Sequence, residues 1–446
     1  MAYRYRSSFL VQLSTQGIIF RIAEILVGLV EVEGCDINQD GNMGNSPLGW
    51  AARNGHEEVV KMLLARNDID ANKRDREGRT PLWWAAFNGH QGVVEMLLDR
   101  DDTDPDQPDL YGRTPLWLAA SDGYEGVVKM LLERADTDPN LSDWHDRTPL
   151  WAATSDGHEG VVKMLLGLDD TDPNWPDRWG QTPLWLAAQN GKQGLVKILL
   201  SRDDTDPDKP DNSGQTPLEE AALMGHEGAV KILLGRDDVN PNKLGGDGKT
   251  LLWRAAFIGR KGVVKALLGR DGVSAGTSSE YYEMLRWASF NRHEGIVKLL
   301  LEREGLNPGG PSGVDKTLLW QAAQKGHKEL VKILLKQNIS PDSSDEYGRT
   351  PLSMAAENGH VEVIKLLLRR DDVNHDKPDK DGQVPLWWAA RNGHDEVVRL
   401  LLEQEEASPN KPNRYGQTPL SIAARYDHGR VIALLQPPTD VGHDTT

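Results

Sequence analysis

A fixed repeat constrains this chain more than any other feature. The tetrapeptide TPLW recurs with a period of 34 residues, beginning at Thr80, Thr114, Thr148 and Thr182. The same register, with variations, extends back to Ser46 and forward to Thr216, Thr250, Glu283, Thr317, Thr350, Val384 and Thr418. Twelve units therefore run from about Gln39 to Leu435. Such a period predicts a stack of similar units, each of which contacts only its neighbours.

The first half of each unit predicts a short helix. In the stretch GRTPLWWAAFNGH, Thr80 suits the N-cap and Pro81 suits the first helical position, where its missing N–H costs nothing. Ala85 and Ala86 permit the close approach of a neighbouring helix, and Gly89 suits a left-handed cap. The helix is thus predicted to begin at Thr-Pro and to end at glycine.

The second half predicts an amphipathic helix followed by a turn. In HQGVVEMLLDR, one apolar stripe is formed by Val93, Val94, Leu97 and Leu98. The following DDTDPDQPDLYGR is rich in Asp, Pro and Gly, which indicates a turn or hairpin connector. One helix pair cannot bury its own stripe, so we expect the pairs to stack into a solenoid.

The pattern D-x-x-G-x-T-P-L-x-x-A-A-x-x-G-H-x-x-V-V-x-x-L-L resembles the ankyrin repeat. Its Asp is met by Asp75, Asp109, Asp143, Asp177, Asp211, Asp345 and Asp379. Its Gly is met by Gly78, Gly112, Gly180, Gly214, Gly248, Gly348, Gly382 and Gly416. The resemblance implies an all-α solenoid of helix-turn-helix pairs with short β-hairpin-like connectors, wound into a right-handed superhelix. It also implies partner binding, chiefly on the concave surface formed by the hairpin tips and the inner helices.

The chain departs from the usual ankyrin pattern in two ways. Its period is one residue longer, and Trp replaces the His that usually follows TPL, at Trp83, Trp117, Trp151, Trp185, Trp253, Trp320 and Trp387. Both features are similar to the ankyrin arrays of fungal NACHT-type proteins, where they often follow a nucleotide-binding domain. The sequence contains no G-x-x-x-x-G-K-[ST] phosphate loop, so we expect this chain to lack that domain.

The register divides the chain into five expected segments. Residues 1–38 form a degenerate N-terminal capping repeat, and residues 39–269 carry repeats 1–7. Residues 270–313 hold a degenerate eighth repeat with a glycine-rich connector. Residues 314–436 carry repeats 9–12, and residues 437–446 form a disordered tail.

The degenerate eighth repeat is predicted to be the weakest part of the array. It has lost the Asp, the turn Gly, the Thr and the Pro of the pattern, and a lost N-cap costs about 1 kcal/mol. We therefore expect a continuous solenoid that opens here first. The repeats up to Gly269 and those after Asp315 should behave as semi-independent folding units.

Charge and cysteine content restrict the partner and the compartment. The formal net charge of −17 opposes binding to nucleic acid or to an anionic membrane surface and favours a basic or mixed-charge protein partner. Cys35 is the single cysteine, which excludes an intramolecular disulfide and is consistent with a reducing compartment. No stretch is long and uncharged enough to span a bilayer, so we expect a cytoplasmic protein.

The repeated tryptophans and histidines are interpreted as structural. The Trp side chains should form a buried ladder whose indole N–H groups are satisfied locally. Nine histidines occupy the turn between helices: His56, His90, His158, His226, His293, His327, His360, His394 and His428. Neighbouring ones should lie roughly 10 Å apart, too far to share a metal ion, so we expect them to satisfy backbone groups.

No catalytic, metal or cofactor site is predicted. The acidic segment DKDGQ, at 379–383, imitates the start of a calcium loop but lacks the glutamate at the twelfth position. No nucleophile, base and orienting group stand out from the repeat pattern as a triad. We therefore expect no cofactor, no metal and no enzymatic activity.

Residues that vary between repeats are the candidates for partner binding. The predicted site consists of Arg76, Phe87, Leu110, Tyr111, Trp144, His145, Arg178 and Trp179. Exposed Tyr, Trp and Arg are typical of interface hot spots, although tip aromatics could instead pack on adjacent hairpins. The predicted function is a non-catalytic protein-binding scaffold. The alternatives are a ligand-sensing fragment of a signalling receptor and an enzyme with an unrecognised site on the concave face, and the oligomeric state stays open.

Overall fold

The computed structural model describes residues 36–39, 44–302, 314–336, 340–404 and 407–436. The chain divides into two compact units, Met1–Pro241 and Asn242–Thr446, called unit 1 and unit 2 below. The predicted capping repeat and C-terminal tail lie almost wholly outside the described residues. So does the glycine-rich connector of the eighth repeat.

Both units are built from pairs of short helices. Unit 1 contains α1 (Pro47–Arg53), α2 (Glu57–Leu64), α3 (Pro81–Phe87), α4 (Gln91–Leu98), α5 (Pro115–Asp122), α6 (Glu125–Leu132), α7 (Pro149–Asp156), α8 (Glu159–Leu166), α9 (Pro183–Gln189), α10 (Gln193–Leu199), α11 (Pro217–Met224) and α12 (Glu227–Leu234). Unit 2 contains α13 (Leu251–Ile258), α14 (Lys261–Leu268), α15 (Ser278–Phe290), α16 (Glu294–Leu301), α17 (Val314–Gln324), α18 (Lys328–Leu335), α19 (Pro351–Glu357), α20 (Val361–Leu367), α21 (Pro385–Arg391), α22 (Asp395–Leu402), α23 (Pro419–Arg425) and α24 (Gly429–Leu435). Among the described residues the only β contact outside these helices is an isolated bridge between Leu244 and Thr250. The predicted all-α solenoid of helix pairs is confirmed.

The helices of each unit form two layers. The first helix of a pair packs against the first helix of the next pair, and the second helices pack against one another in the same way. In α3, Leu82, Ala85 and Ala86 are completely buried, as are Val93 and Val94 of α4. The alanines and the apolar stripe are therefore buried in the interior of the stack, as the sequence predicts.

The first helices begin where the Thr-Pro pairs predict. The Thr80 hydroxyl accepts a hydrogen bond from the Trp83 N–H at 3.1 Å, and the Thr182 hydroxyl accepts one from the Trp185 N–H at 3.1 Å. Proline follows each of these threonines at the first helical position. Val384 takes the threonine position before α21 and offers no side-chain acceptor.

The eighth repeat differs from the expectation. We expected this unit to have lost its N-cap, and that expectation is wrong. The helix α15 begins earlier, because Thr277 and Glu280 form a capping box in which each side chain accepts a hydrogen bond from the backbone of the other. The resulting helix has 13 residues, and Tyr281 within it donates a hydrogen bond to the Leu300 carbonyl at 2.6 Å.

Asparagine side chains join neighbouring connectors. The Asn140 carboxamide accepts a hydrogen bond from the Asp172 N–H at 3.1 Å and donates one to the Asp170 carbonyl at 2.6 Å. Asn174 makes the same two bonds to the next connector, with Asp206 and Asp204, at 2.7 Å each. We call this arrangement the connector clamp. It uses both halves of a carboxamide, so an aspartate at the same position can form only half of it.

Asp106 occupies a clamp position in unit 1. Its Oδ2 accepts a hydrogen bond from the Asp138 N–H at 2.8 Å, but its Oδ1 is buried and has no hydrogen-bond partner among the described residues. An asparagine at this position would place its Nδ2 where Oδ1 lies and, like Asn140, could donate to the carbonyl 30 residues later, which is that of Asp136. Burial raises the pKa of Asp106 to about 6, with repulsion from Asp138, Asp104 and Asp136 acting in the same direction. The Asp138 N–H opposes this rise.

The first prediction is that Asp106→Asn stabilises the protein in a pH-dependent manner. Because the pKa of Asp106 is raised in the folded state, the protonated carboxyl stabilises the fold at low pH. That contribution is lost as the pH rises from 3.8 through about 6. At pH 7.5, the substitution should raise the free energy of unfolding by about 1–2 kcal/mol, which allows for solvent screening of the charge. Urea unfolding at pH 4.5 should show a much smaller gain. Equal gains at both pH values, or a similar gain from the exposed Asp237→Asn, would contradict this account.

The second prediction concerns the helix caps. Val384→Thr should raise the free energy of unfolding of unit 2 by about 0.5–1 kcal/mol, because the new hydroxyl can accept a hydrogen bond from the first turn of α21. Thr182→Val, the reverse exchange before α9, should lower stability by about 1 kcal/mol. Denaturant titrations of both variants measure the pair. A destabilising Val384→Thr would show that the valine is needed for packing.

Candidate functional site

The turns between helix pairs are held by a buried aspartate. The Asp109 Oδ1 accepts hydrogen bonds from the N–H groups of Tyr111 and Arg113 at 2.8 and 2.9 Å, and its Oδ2 pairs with the Arg113 guanidinium at 2.7 Å. Asp75 and Asp143 make the same bonds in the neighbouring repeats. These bonds close the turn. We call the two residues that follow each aspartate, such as Leu110 and Tyr111 after Asp109, the tip of the turn.

Consecutive tips in unit 1 are hydrogen-bonded to one another through the backbone. The bonds run from the Leu110 N–H to the Glu77 carbonyl at 2.9 Å and from the Trp144 N–H to the Tyr111 carbonyl at 3.0 Å. Two more bonds, each 2.9 Å, connect the Arg178 N–H to the His145 carbonyl and the Asn212 N–H to the Trp179 carbonyl. Five successive tips are therefore held at fixed spacing.

Seven of the eight predicted site residues lie on these tips. We call them the tip face: Arg76, Leu110, Tyr111, Trp144, His145, Arg178 and Trp179. Trp144 is 70% exposed, and Tyr111 and Trp179 are each more than half exposed. The eighth residue, Phe87, lies at the end of α3, where it stacks on Trp83 with the ring centroids 5.2 Å apart.

The tip aromatics pack on neighbouring tips while remaining accessible. The ring centroids of Tyr111 and Trp144 are 5.9 Å apart, as are those of His145 and Trp179. The Arg178 guanidinium lies 3.2 Å from the His145 Nδ1 and 5.5 Å from the centroid of the Trp179 ring. The tip aromatics thus contact one another while much of their surface remains exposed, and their role in binding stays a prediction.

One buried aspartate of the tips lacks its cation. In the turn of Asp177, Gln181 stands where the preceding turns have the arginine that pairs with the aspartate. The Asp177 Oδ2 has no hydrogen-bond partner among the described residues. Burial raises the pKa of Asp177, opposed by hydrogen bonds from the N–H groups of Gln181 and Trp179. The tip that carries Arg178 and Trp179 is therefore held by backbone hydrogen bonds without an ion pair beneath it.

The tryptophan ladder is confirmed in part. The indole N–H groups of Trp83, Trp117 and Trp185 donate to the carbonyls of Arg113, Arg147 and Gln215 in the next repeats, at 2.9–3.2 Å. The described structure shows no acceptor for the indole N–H of Trp151, Trp253, Trp320 or Trp387. The ladder thus links repeats by indole hydrogen bonds at three positions of unit 1.

Five of the nine turn histidines bond to backbone groups as predicted. The ring Nε2 is hydrogen-bonded to a carbonyl of the preceding repeat in His90, His158, His360, His394 and His428, at 2.9–3.2 Å. His327 is buried, but its Nε2 has no partner among the described residues. The described residues contain no group of three or more side chains that could hold a metal ion, and none of their helices could cross a membrane.

Comparison with protein families gives a match over most of the chain. The family described as "Ankyrin repeats (3 copies)" matches residues 18–109, 99–177, 167–244, 309–379 and 370–445. Residues 245–308, which include most of the degenerate repeat, are outside these matches. Comparison with curated proteins gave no match. Ankyrin repeats generally serve as protein-interaction modules and are typically non-enzymatic. With its repeat pattern, its helix pairs and this match, the chain belongs to the ankyrin-repeat family.

Proposed function

We propose that the protein is a non-catalytic scaffold that binds a protein partner through the tip face of unit 1. The observation that carries the proposal is the exposure of three large aromatic side chains, Tyr111, Trp144 and Trp179, on tips that are hydrogen-bonded to each other. A partner that covers these rings removes apolar surface from water without having to order the loops that carry them.

The chemistry of the tip face suits a protein surface. Tyr, Trp and Arg dominate interface hot spots because they combine a large apolar area with a hydrogen-bonding group. Arg178 lies against Trp179 and His145, so its guanidinium is partly preorganised. Such a residue can bind a carboxylate or a carbonyl of the partner at a reduced cost in side-chain entropy.

The charge of the surrounding chain supports a basic or mixed-charge partner. Exposed aspartates in the connectors of unit 1 include Asp101, Asp169, Asp170 and Asp203. With a net charge of −17, the protein attracts cationic surfaces and repels polyanions such as nucleic acid. The single cysteine supports a reducing compartment, and we place the protein in the cytoplasm on that ground.

The third prediction is that Trp144→Ala and Trp179→Ala each strongly weaken partner capture. Loss of a central aromatic hot spot costs about 2 kcal/mol or more, which lowers affinity roughly 30-fold. The measurement is quantitative affinity enrichment on immobilised wild-type and variant protein, with circular dichroism to verify folding. Tyr415→Ala is the matched control, because Tyr415 is a 69% exposed tip aromatic of unit 2.

The experiment distinguishes an interface at the tip face of unit 1 from an interface elsewhere on the protein. A partner retained by both tryptophan variants, or lost equally with Tyr415→Ala, would place the interface away from the tip face.

A further inference from the structure

A left-handed glycine at the end of each first helix normally accommodates the histidine of the next pair. Gly326 has a φ of +72°, and a Cβ at this position would lie 2.6 Å from the Nδ1 of His360. At Gly123 the corresponding distance to the Nδ1 of His158 would be 2.4 Å. The ring thus occupies space that only a glycine leaves free, and the Nε2 of His158 and of His360 is bonded to a backbone carbonyl from there.

In unit 2 this position is occupied by Arg292. It has a φ of +62°, in the left-handed region that a residue with a Cβ adopts only at a cost in free energy. In the repeat register, the histidine that corresponds to Arg292 in the next pair is His327, and Arg292 is close enough for its charge to act on that imidazole. The Nε2 of His327 has no partner among the described residues, whereas His158 and His360 are bonded to carbonyls at 2.9 Å.

A second buried polar group lies nearby without a partner. Ser289 in α15 stands where the other first helices mostly have the second alanine, and it is only 3% exposed. Thr154, at the same position in α7, donates its hydroxyl to the Leu150 carbonyl at 2.8 Å. The Ser289 hydroxyl makes no such bond among the described residues. A buried polar group that forgoes an available backbone partner is destabilising unless something else binds it.

Ser289 and His327 line the same cavity. Its volume is about 80 Å³, enough for a group of a few heavy atoms. Phe290, Gln321, Gln324 and Lys325 also line it. The Lys325 Nζ lies 5.6 Å from the centroid of the Phe290 ring, which holds the ammonium group beside the cavity.

The described lining has the composition of an anion site. It contains a hydroxyl, an imidazole, two carboxamides and an ammonium group, and no carboxylate. Burial lowers the pKa of His327, and the positive charges of Arg292, His360 and Lys325 lower it further. Arg292 and Lys325 therefore act on the imidazole electrostatically, and a negative charge placed in the cavity would be attracted by both.

We propose that this cavity binds a small oxyanion, a carboxylate or phosphate group. In this arrangement the Ser289 hydroxyl and the His327 Nε2 donate hydrogen bonds to the oxyanion, and Lys325 and Arg292 neutralise its charge. We call it the oxyanion pocket. It lies within unit 2 and is independent of the proposed role of the tip face. Arg292 contributes positive charge beside the imidazole from a position that a left-handed glycine occupies in most other repeats.

The fourth prediction tests the pocket on the full chain by calorimetric titration at constant ionic strength. Inorganic phosphate and acetate represent the free ions, and a blocked phosphoserine represents the same group on a peptide. We expect saturable binding of at least one probe, with chloride inactive. Ser289→Ala and Lys325→Gln should each weaken it about tenfold. The control Lys265→Gln, an equal charge change on the exposed side of α14, should leave it unchanged.

Arg292→Gly separates binding from folding. Glycine removes the backbone strain together with the positive charge near His327, so the melting temperature should rise while oxyanion binding weakens. In the wild type, saturation with the bound probe should raise the pKa of His327, as measured by NMR titration of its ring protons. Absence of saturable binding for all three probes, or an Arg292→Gly variant that binds like the wild type, would overturn the proposal.

Discussion

Hydrogen bonds between neighbouring repeats determine which surfaces this protein presents. In unit 1 each repeat is joined to the next at the connector, as by Asn140, and at the tips, as between Tyr111 and Trp144. A third bond, from the Trp117 indole to the Arg147 carbonyl, joins a first helix to the turn that precedes the next first helix. Apolar packing supplies the driving force for stacking, but it is not directional. The polar bonds fix the register, and the spacing of the exposed tips follows from it.

Departures from the repeat pattern change the chemistry while leaving the helix pairs intact. Asp106 replaces an asparagine of the connector clamp, and Arg292 replaces a glycine. In both cases a buried polar atom loses the partner that the pattern provides, Oδ1 of Asp106 in one and Nε2 of His327 in the other. A repeat array tolerates such losses because each repeat interacts only with its neighbours. Positions that break a local rule are also where function is most often found.

The helix pairs could be predicted because their signals are local. A Thr-Pro pair, two alanines and an apolar stripe lie within one repeat and act on each other directly. The N-cap of α15 was not predicted, because the repeat register carried more weight than the local capping box at Thr277 and Glu280. The bonds between tips could not be predicted, since they use backbone atoms that every residue has. The cavity at Ser289 and His327 depends on packing between two repeats, and Arg292 at a glycine position was its one visible signal.

The central claim is that bonds between repeats make the tip face a rigid surface. Amide hydrogen exchange tests it most directly, because the N–H groups of Leu110, Trp144, Arg178 and Asn212 lie in surface turns yet are bonded to the preceding tip. The account predicts that these four amides exchange as slowly as amides within the first helices, since breaking them requires adjacent repeats to separate. Exchange at the rate of an unstructured peptide would contradict it and would mean that the tips move independently.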